Sequence, residues 1–169
     1  LIISKTGEIN NYFENKKNAF LVEPNNVNQI AESIIYLVSN PKEAKDIAFI
    51  QCAGSRDRNH LKHCSRICCM ASLKQSTYIT EQYGAEDEDA KGTIYYIDIR
   101  SIDRFEDFYR KVQNDPKISF VKSKVANIIV DKENNPVVKG VDTEGYHRYE
   151  TKHDLVVLAV GMEPNVTKE

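Results

Sequence analysis

Ile47-Ala48-Phe49-Ile50-Gln51-Cys52-Ala53-Gly54-Ser55-Arg56-Asp57 is the stretch whose reading decides the fold. Its apolar run, Ile47 to Ile50, is short and meets Cys52 and Gly54 as a strand buried on both faces meets a turn. Downstream, Ser65 is a candidate N-cap for a helix through Tyr83, with Ile67, Met70, Ala71 and Leu73 on its buried side and Gly84 closing it. Thr93 to Ile99 is a strand by its β-branched and aromatic content. Phe105 to Val112 reads as a helix and Ile118 to Val121 as a strand. Val125 to Val130 and Val137 to Val141 flank a Glu133-Asn134-Asn135-Pro136 turn as a hairpin. Asp154 to Gly161 closes the series as a buried strand. The expected fold is α/β: a Rossmann-like sheet of the FAD/NAD(P)-binding type with a small antiparallel hairpin insertion.

The same stretch opens the one constellation that carries chemistry. All four cysteines fall in the run Cys52-(x11)-Cys64-(x3)-Cys68-Cys69. Thiolate is the soft ligand that selects zinc, Cu(I) or iron–sulfur clusters, and four complete one coordination set. The adjacent pair Cys68-Cys69 fits ordinary structural zinc poorly, because vicinal side chains aim apart and suit separate corners of a larger cluster. Four unligated thiols in a packed core are the plain alternative.

The turn after a first Rossmann strand normally carries glycines that let backbone amides approach a pyrophosphate. Here it reads Cys52-Ala53-Gly54-Ser55-Arg56-Asp57, with no GxGxxG. Cys52 ends the strand, Cys64 precedes the helix, and Cys68 and Cys69 are expected in its first turn, where the helix dipole favours thiolate. Arg56, Arg58, Lys62 and Arg66 surround the set and either offset cluster charge or form a solvated loop. His60 and His63 are candidate ligands or proton relays, or simply exposed histidines. Asp98 and Arg100 stand at a strand end, where such sheets contact ligands, and equally suit a salt bridge.

Composition narrows the partners. The 169 residues carry 23 basic and 25 acidic side chains, mixed along the chain, which argues against nucleic acid. The longest strongly apolar run, Leu155 to Val160, is too short to cross a bilayer, and no signal-peptide pattern opens the chain, so a cytoplasmic protein is expected. A start at Leu1 and a last strand close to Glu169 read as the ends of a piece of something longer.

Residues 43–169 resemble a known family. Ile47 to Asp57, then His63-Cys64-Ser65-Arg66-Ile67-Cys68-Cys69-Met70-Ala71-Ser72-Leu73-Lys74-Gln75, then Ile94-Tyr95-Tyr96-Ile97-Asp98-Ile99-Arg100 are similar to the A subunits of heterodisulfide reductases. Within that family the likeness is to the A subunit of the quinone-interacting membrane-bound oxidoreductase complex. The ending Val160-Gly161-Met162-Glu163-Pro164-Asn165 is similar to the segment of flavin disulfide-reductase-like proteins that passes the FAD. The resemblance implies an electron-transfer oxidoreductase subunit with a 4Fe-4S cluster on Cys52, Cys64, Cys68 and Cys69. It implies FAD beside Gly161, Met162, Pro164 and Asn165. The family's main glycine-rich FAD turn is absent here, so this chain alone is expected to hold FAD poorly. Other redox subunits are the implied partners, with a membrane reached only through them.

Residues 1–44 are expected to form a short α/β piece: a strand at Leu1 to Ile3, an apolar patch at Ala19 to Val22, and a helix from Asn26 ending before Pro41. Glu8 to Phe13, Asn18-Ala19-Phe20-Leu21-Val22-Glu23-Pro24 and Ile30-Ala31-Glu32-Ser33-Ile34 resemble the C-terminal part of a GT-B glycosyltransferase, which implies either a chimeric junction near Asn40 to Lys45 or ordinary upstream sequence. Two units follow, 1–44 and 45–169. Beside electron transfer stand three other readings: a structural zinc module, a glycosyltransferase piece, and a thiol–disulfide reductase using Cys68-Cys69, which lacks a CxxC pair.

Overall fold

The computed structural model describes residues 2–4, 20–22, 28, 32, 44–84 and 87–162. Strand β1 (Ile2–Ser4) pairs in parallel with β2 (Phe20–Val22). Asn28 and Glu32 are helical, and the rest of the helix expected after Asn26 lies outside the described residues.

A four-stranded parallel sheet organises the remainder. Its strands are β3 (Asp46–Ile50), β4 (Lys91–Tyr96), β5 (Ile118–Lys122) and β9 (Leu155–Leu158), in the order β5-β4-β3-β9. Helix α1 (Cys68–Tyr83) crosses from β3 to β4. A 3-10 turn (Asp103–Phe105) and α2 (Glu106–Gln113) cross from β4 to β5. Between β5 and β9 runs an antiparallel sheet of β6 (Asn127–Val130), β7 (Pro136–Asp142) and β8 (His147–Lys152). The expected hairpin is therefore a three-stranded meander. The sequence gives no sign of β8, because His147-Arg148-Tyr149-Glu150-Thr151-Lys152 has only Tyr149 and Thr151 half-buried and no apolar run.

Strand alternation divides the core in two. On one face Phe49 and Ile94 pack with Leu73 and Ile79 of α1, Val112 of α2 and Ile118. On the other, Ala48, Ile50, Tyr95 and Val156 meet Val138 of the meander. With helices above and the meander below, β3 is covered on both faces, which is why it can be a continuous apolar run. The meander face also holds a polar chain: Tyr95 Oη lies 2.9 Å from His153 Nε2, and His153 Nδ1 lies 2.7 Å from Asp46 Oδ1. Tyr149 stacks on Tyr95 with ring centroids 5.3 Å apart and donates to Ser123 Oγ at 2.8 Å.

Helix α1 departs from expectation at its start. It begins at Cys68 after Ile67, with no side-chain cap, because the Ser65 hydroxyl is engaged elsewhere. Its buried residues are Cys69, Ser72, Leu73, Ser76, Thr77 and Ile79, whereas Ile67 is 49% exposed. Ser76 and Thr77 bury their hydroxyls by donating to the carbonyls of Leu73 (2.9 Å) and Lys74 (2.8 Å), so these small residues can face the sheet. Among the described residues no helix is long and apolar enough to cross a membrane.

Candidate metal centre

The sheet's strand order reverses beside β3: β4 and β5 lie on one side of it and β9 on the other. At such a switch point the loops leaving neighbouring strands part and open a crevice at their carboxyl ends. The segment after β3 and the turn after β9 both leave from there, still joined by Ala159 N–H donating to Ile50 O at 2.9 Å.

The segment 51–67 folds back on itself. Ser55 N–H donates to Cys52 O (3.2 Å), Leu61 N–H to Gly54 O (3.0 Å), Asp57 N–H to Leu61 O (3.0 Å) and Arg56 N–H to His63 O (3.3 Å). Cys52, Arg56 and Arg66 adopt positive φ (56°, 53° and 60°), an uncommon conformation for side-chain-bearing residues that clusters at functional sites. The fold-back brings Cys64 over Cys52 and delivers the chain to α1, whose first turn carries Cys68 and Cys69. All four cysteines, with Ser55, Ser65 and Arg66, line a single open pocket. Cys69 is buried and the other three are half-buried.

The electrostatics have identifiable causes. Burial pushes the Cys52 thiol above its usual range, against the pull of the Arg56 guanidinium. Cys69 is raised for the same reason, and charge on Cys52, Cys64 or Cys68 raises it further, while the Arg100 backbone N–H pulls it back. Its thiol lies 3.8 Å from the Asp98 carbonyl oxygen. The uncapped N-terminal amides of α1 add positive potential in its first turn. Asp98 forms the salt bridge: its carboxylate accepts from Arg100 Nε and Arg56 Nη1, both at 2.8 Å, and these bonds hold it below the usual carboxylate range. Both guanidiniums are thereby fixed beside the cysteines.

The turn after β9 is tied down by Ser55, which no local pattern singles out, and by Ser65 and His63, for which the sequence suggests other roles. Ser55 Oγ donates to Val160 O (2.9 Å), Ser65 Oγ accepts from Met162 N–H (2.8 Å), and His63 Nε2 lies 3.3 Å from Met162 O. Gly161 sits beneath both serines at φ 87°, where a Cβ would lie 2.4 Å from Ser55 Oγ and 2.5 Å from Ser65 Oγ. Gly161 and Met162 therefore flank the cysteine pocket, whereas Pro164 and Asn165 lie outside the described residues. Arg58, His60 and Lys62 are exposed, and His60 is not among the residues lining the pocket.

Among the described residues no group of three or more His, Cys, Asp or Glu side chains is set to hold a metal ion. Four thiolates around one zinc would lie ~3.8 Å apart, from a Zn–S bond of about 2.3 Å. Four cysteines lining one pocket are a soft donor set, chemically suited to zinc or an iron–sulfur cluster.

No protein-family model matches the chain. It is 39% identical over 137 residues to the A subunit of the ferredoxin:CoB-CoM heterodisulfide reductase of Methanosarcina mazei, covering 80% of this chain and 17% of that protein. It is 40% identical over 129 residues to the second iron-sulfur A subunit of the CoB–CoM heterodisulfide reductase of Methanopyrus kandleri, covering 75% and 19%. The corresponding iron-sulfur A subunit of Methanocaldococcus jannaschii is 39% identical over 129 residues, again covering 75% and 19%. The chain thus spans less than a fifth of the length of these relatives. The glycosyltransferase resemblance of residues 1–44 finds no support among them.

Proposed function

Because the chain belongs to the family of heterodisulfide reductase A subunits, we propose that it is the cluster-bearing segment of an iron–sulfur flavoprotein that transfers electrons. In this reading Cys52, Cys64, Cys68 and Cys69 hold a 4Fe-4S cluster. The Gly161-Met162-Glu163-Pro164-Asn165 stretch supplies the contact to FAD, and the parallel sheet is of the FAD/NAD(P)-binding Rossmann type. The observation that carries the reading is the convergence of all four cysteines on one pocket at the switch point of the parallel sheet.

The cluster supplies one-electron chemistry when bound, and the flavin links it to two-electron donors and acceptors. This chain's own residues set the environment. Cys52 and Cys64 grip from the fold-back, and Cys68 and Cys69 from the rigid start of α1. The α1 amides and the arginines pinned by Asp98 offset anionic charge. The ties of Ser55 and Ser65 to Val160 and Met162 fix how far the turn after β9 stands from the cysteines. FAD's main glycine-rich motif is absent from this chain, so only a flavin-adjacent contact is assigned to it. The partners are further redox subunits, in a reducing compartment such as the cytoplasm. Ferredoxin, named for the Methanosarcina mazei relative, is a donor of suitable chemistry. Any membrane is reached through those partners.

The test is anaerobic reconstitution with iron and sulfide, followed by iron, acid-labile sulfide and zinc analysis and a visible spectrum. About four irons and four sulfides per chain are expected, with clear loss in Cys68→Ser. Stoichiometric zinc without sulfide would make the site structural and refute electron transfer.

A further inference from the structure

Three buried side-chain atoms among the described residues have no hydrogen-bond partner, and they belong to two residues: Gln51 (Nε2 and Oε1) and Ser101 (Oγ). Gln51 is only 4% exposed. The polar side chains of the meander face, by contrast, are paired along Tyr95–His153–Asp46 and Tyr149–Ser123. A buried donor left unmet has lost its hydrogen bonds to water without replacement, so such an atom in a folded chain calls for an explanation.

Both residues neighbour the cysteine site along the chain, just outside the set of side chains that lines its pocket. Gln51 precedes Cys52 and extends the β3 ladder, its N–H donating to Tyr95 O at 2.9 Å. Alternation then puts its side chain on the face of Phe49, the face covered by α1. Ser101 follows Arg100, whose backbone N–H hydrogen-bonds Cys69, in the loop whose Asp98 carbonyl meets the Cys69 thiol. One orphan is therefore bonded in sequence to Cys52, and the other lies one residue from a contact of Cys69.

We infer that Gln51 Nε2–H and Ser101 Oγ–H are positioning donors to the sulfurs of the cluster on its Cys52 and Cys69 side, a role that rests on the cluster reading above. A cluster's sulfurs accept and cannot donate, so they meet these two donors, and the match fixes Nε2 rather than Oε1 as the end facing the cluster. A donor to sulfur stabilises the more negative, reduced state and raises the potential. Nothing titrates in this arrangement.

The cluster-loaded chain, carrying glutamine labelled with 15N in the side chain, tests this by electron–nuclear double resonance of the reduced cluster. The wild type is expected to show a side-chain 15N coupling and an exchangeable proton, both lost in Gln51→Leu. Redox titration of Gln51→Leu should show the reduced-to-oxidised ratio at fixed potential falling about tenfold, equivalent to roughly 59 mV for one electron. Ser101→Ala should move it the same way. The inference is overturned if the wild type shows no such coupling and both variants keep its potential. In that case Gln51→Leu merely raises the melting temperature, as removal of an unpaired core amide would. A wild-type chain that takes up no iron and sulfide overturns the cluster reading itself and this inference with it.

Discussion

Replacing Gly161 by alanine tests whether the turn after β9 is held by the packing described. At φ 87° an L-residue pays about 1–2 kcal/mol relative to glycine. The new Cβ would lie 2.4 Å from Ser55 Oγ and 2.5 Å from Ser65 Oγ, so both hydroxyls must move. Each is a short side chain bonded to the backbone of Val160 or Met162, so moving it forfeits that bond, at about 1 kcal/mol net apiece. The total is about 3–4 kcal/mol. Urea unfolding at unchanged m-value reads it directly. In a Ser55→Ala, Ser65→Ala background the hydroxyls are gone, and Gly161→Ala should cost only the backbone part. The coupling between glycine and serines is then about 2 kcal/mol, well above the few tenths expected of independent sites. Equal cost in both backgrounds would refute the packing argument, and a cost below about 0.5 kcal/mol would refute the backbone argument as well.

Two further outcomes concern the polar chain under the sheet. Burial would raise the Asp46 carboxyl, but the His153 hydrogen bond and charge, and Lys91, outweigh it and hold the group below its ordinary 3.8. That stabilisation is present above pH 3.8 and lost as pH falls through the lower folded value. Asp46→Asn should therefore destabilise the chain at neutral pH and lose less stability than the wild type below pH 4, and parallel acid limbs would contradict this. Burial pushes the Tyr95 phenol from 10.0 up to about 12, so its contribution is complete below pH 10 and lost between pH 10 and 12. Tyr95→Phe should flatten the alkaline limb of the stability profile, measured by urea midpoints, and an unchanged limb would count against the buried phenol.

Features set by neighbours in sequence are legible; those set by distant partners are not. The apolar run 47–50 before a turn announces a doubly covered parallel strand, and the spacing of the four cysteines announces a shared site. The start of α1 misleads because Ser65 has the chemistry of a cap, but its hydroxyl goes to Met162, 97 residues away. Ser55 offers no local signal at all, since its partner Val160 is 105 residues distant. β8 escapes a reading of the sequence because its cross-strand partners, not its own pattern, make it a strand: Lys139 opposes Glu150 and Gly140 opposes Tyr149. Gln51 looks like the tail of an apolar run, and only the folded chain reveals an amide with nothing to bond.

The stitches from Ser55, His63 and Ser65 to Val160 and Met162 also set an order of events during synthesis. The four cysteines emerge from the ribosome within a short stretch, yet the turn tied to Ser55, His63 and Ser65 beside them arrives about a hundred residues later. At about 5–20 residues per second that interval lasts roughly 5–20 s. Until β9 pairs with β3, the switch-point crevice lacks one side, and thiols on a half-built sheet are open to oxidation or stray metals. The site is thus complete only once β9 has docked, and a chain caught before that step differs from one past it by the ties of Ser55 and Ser65.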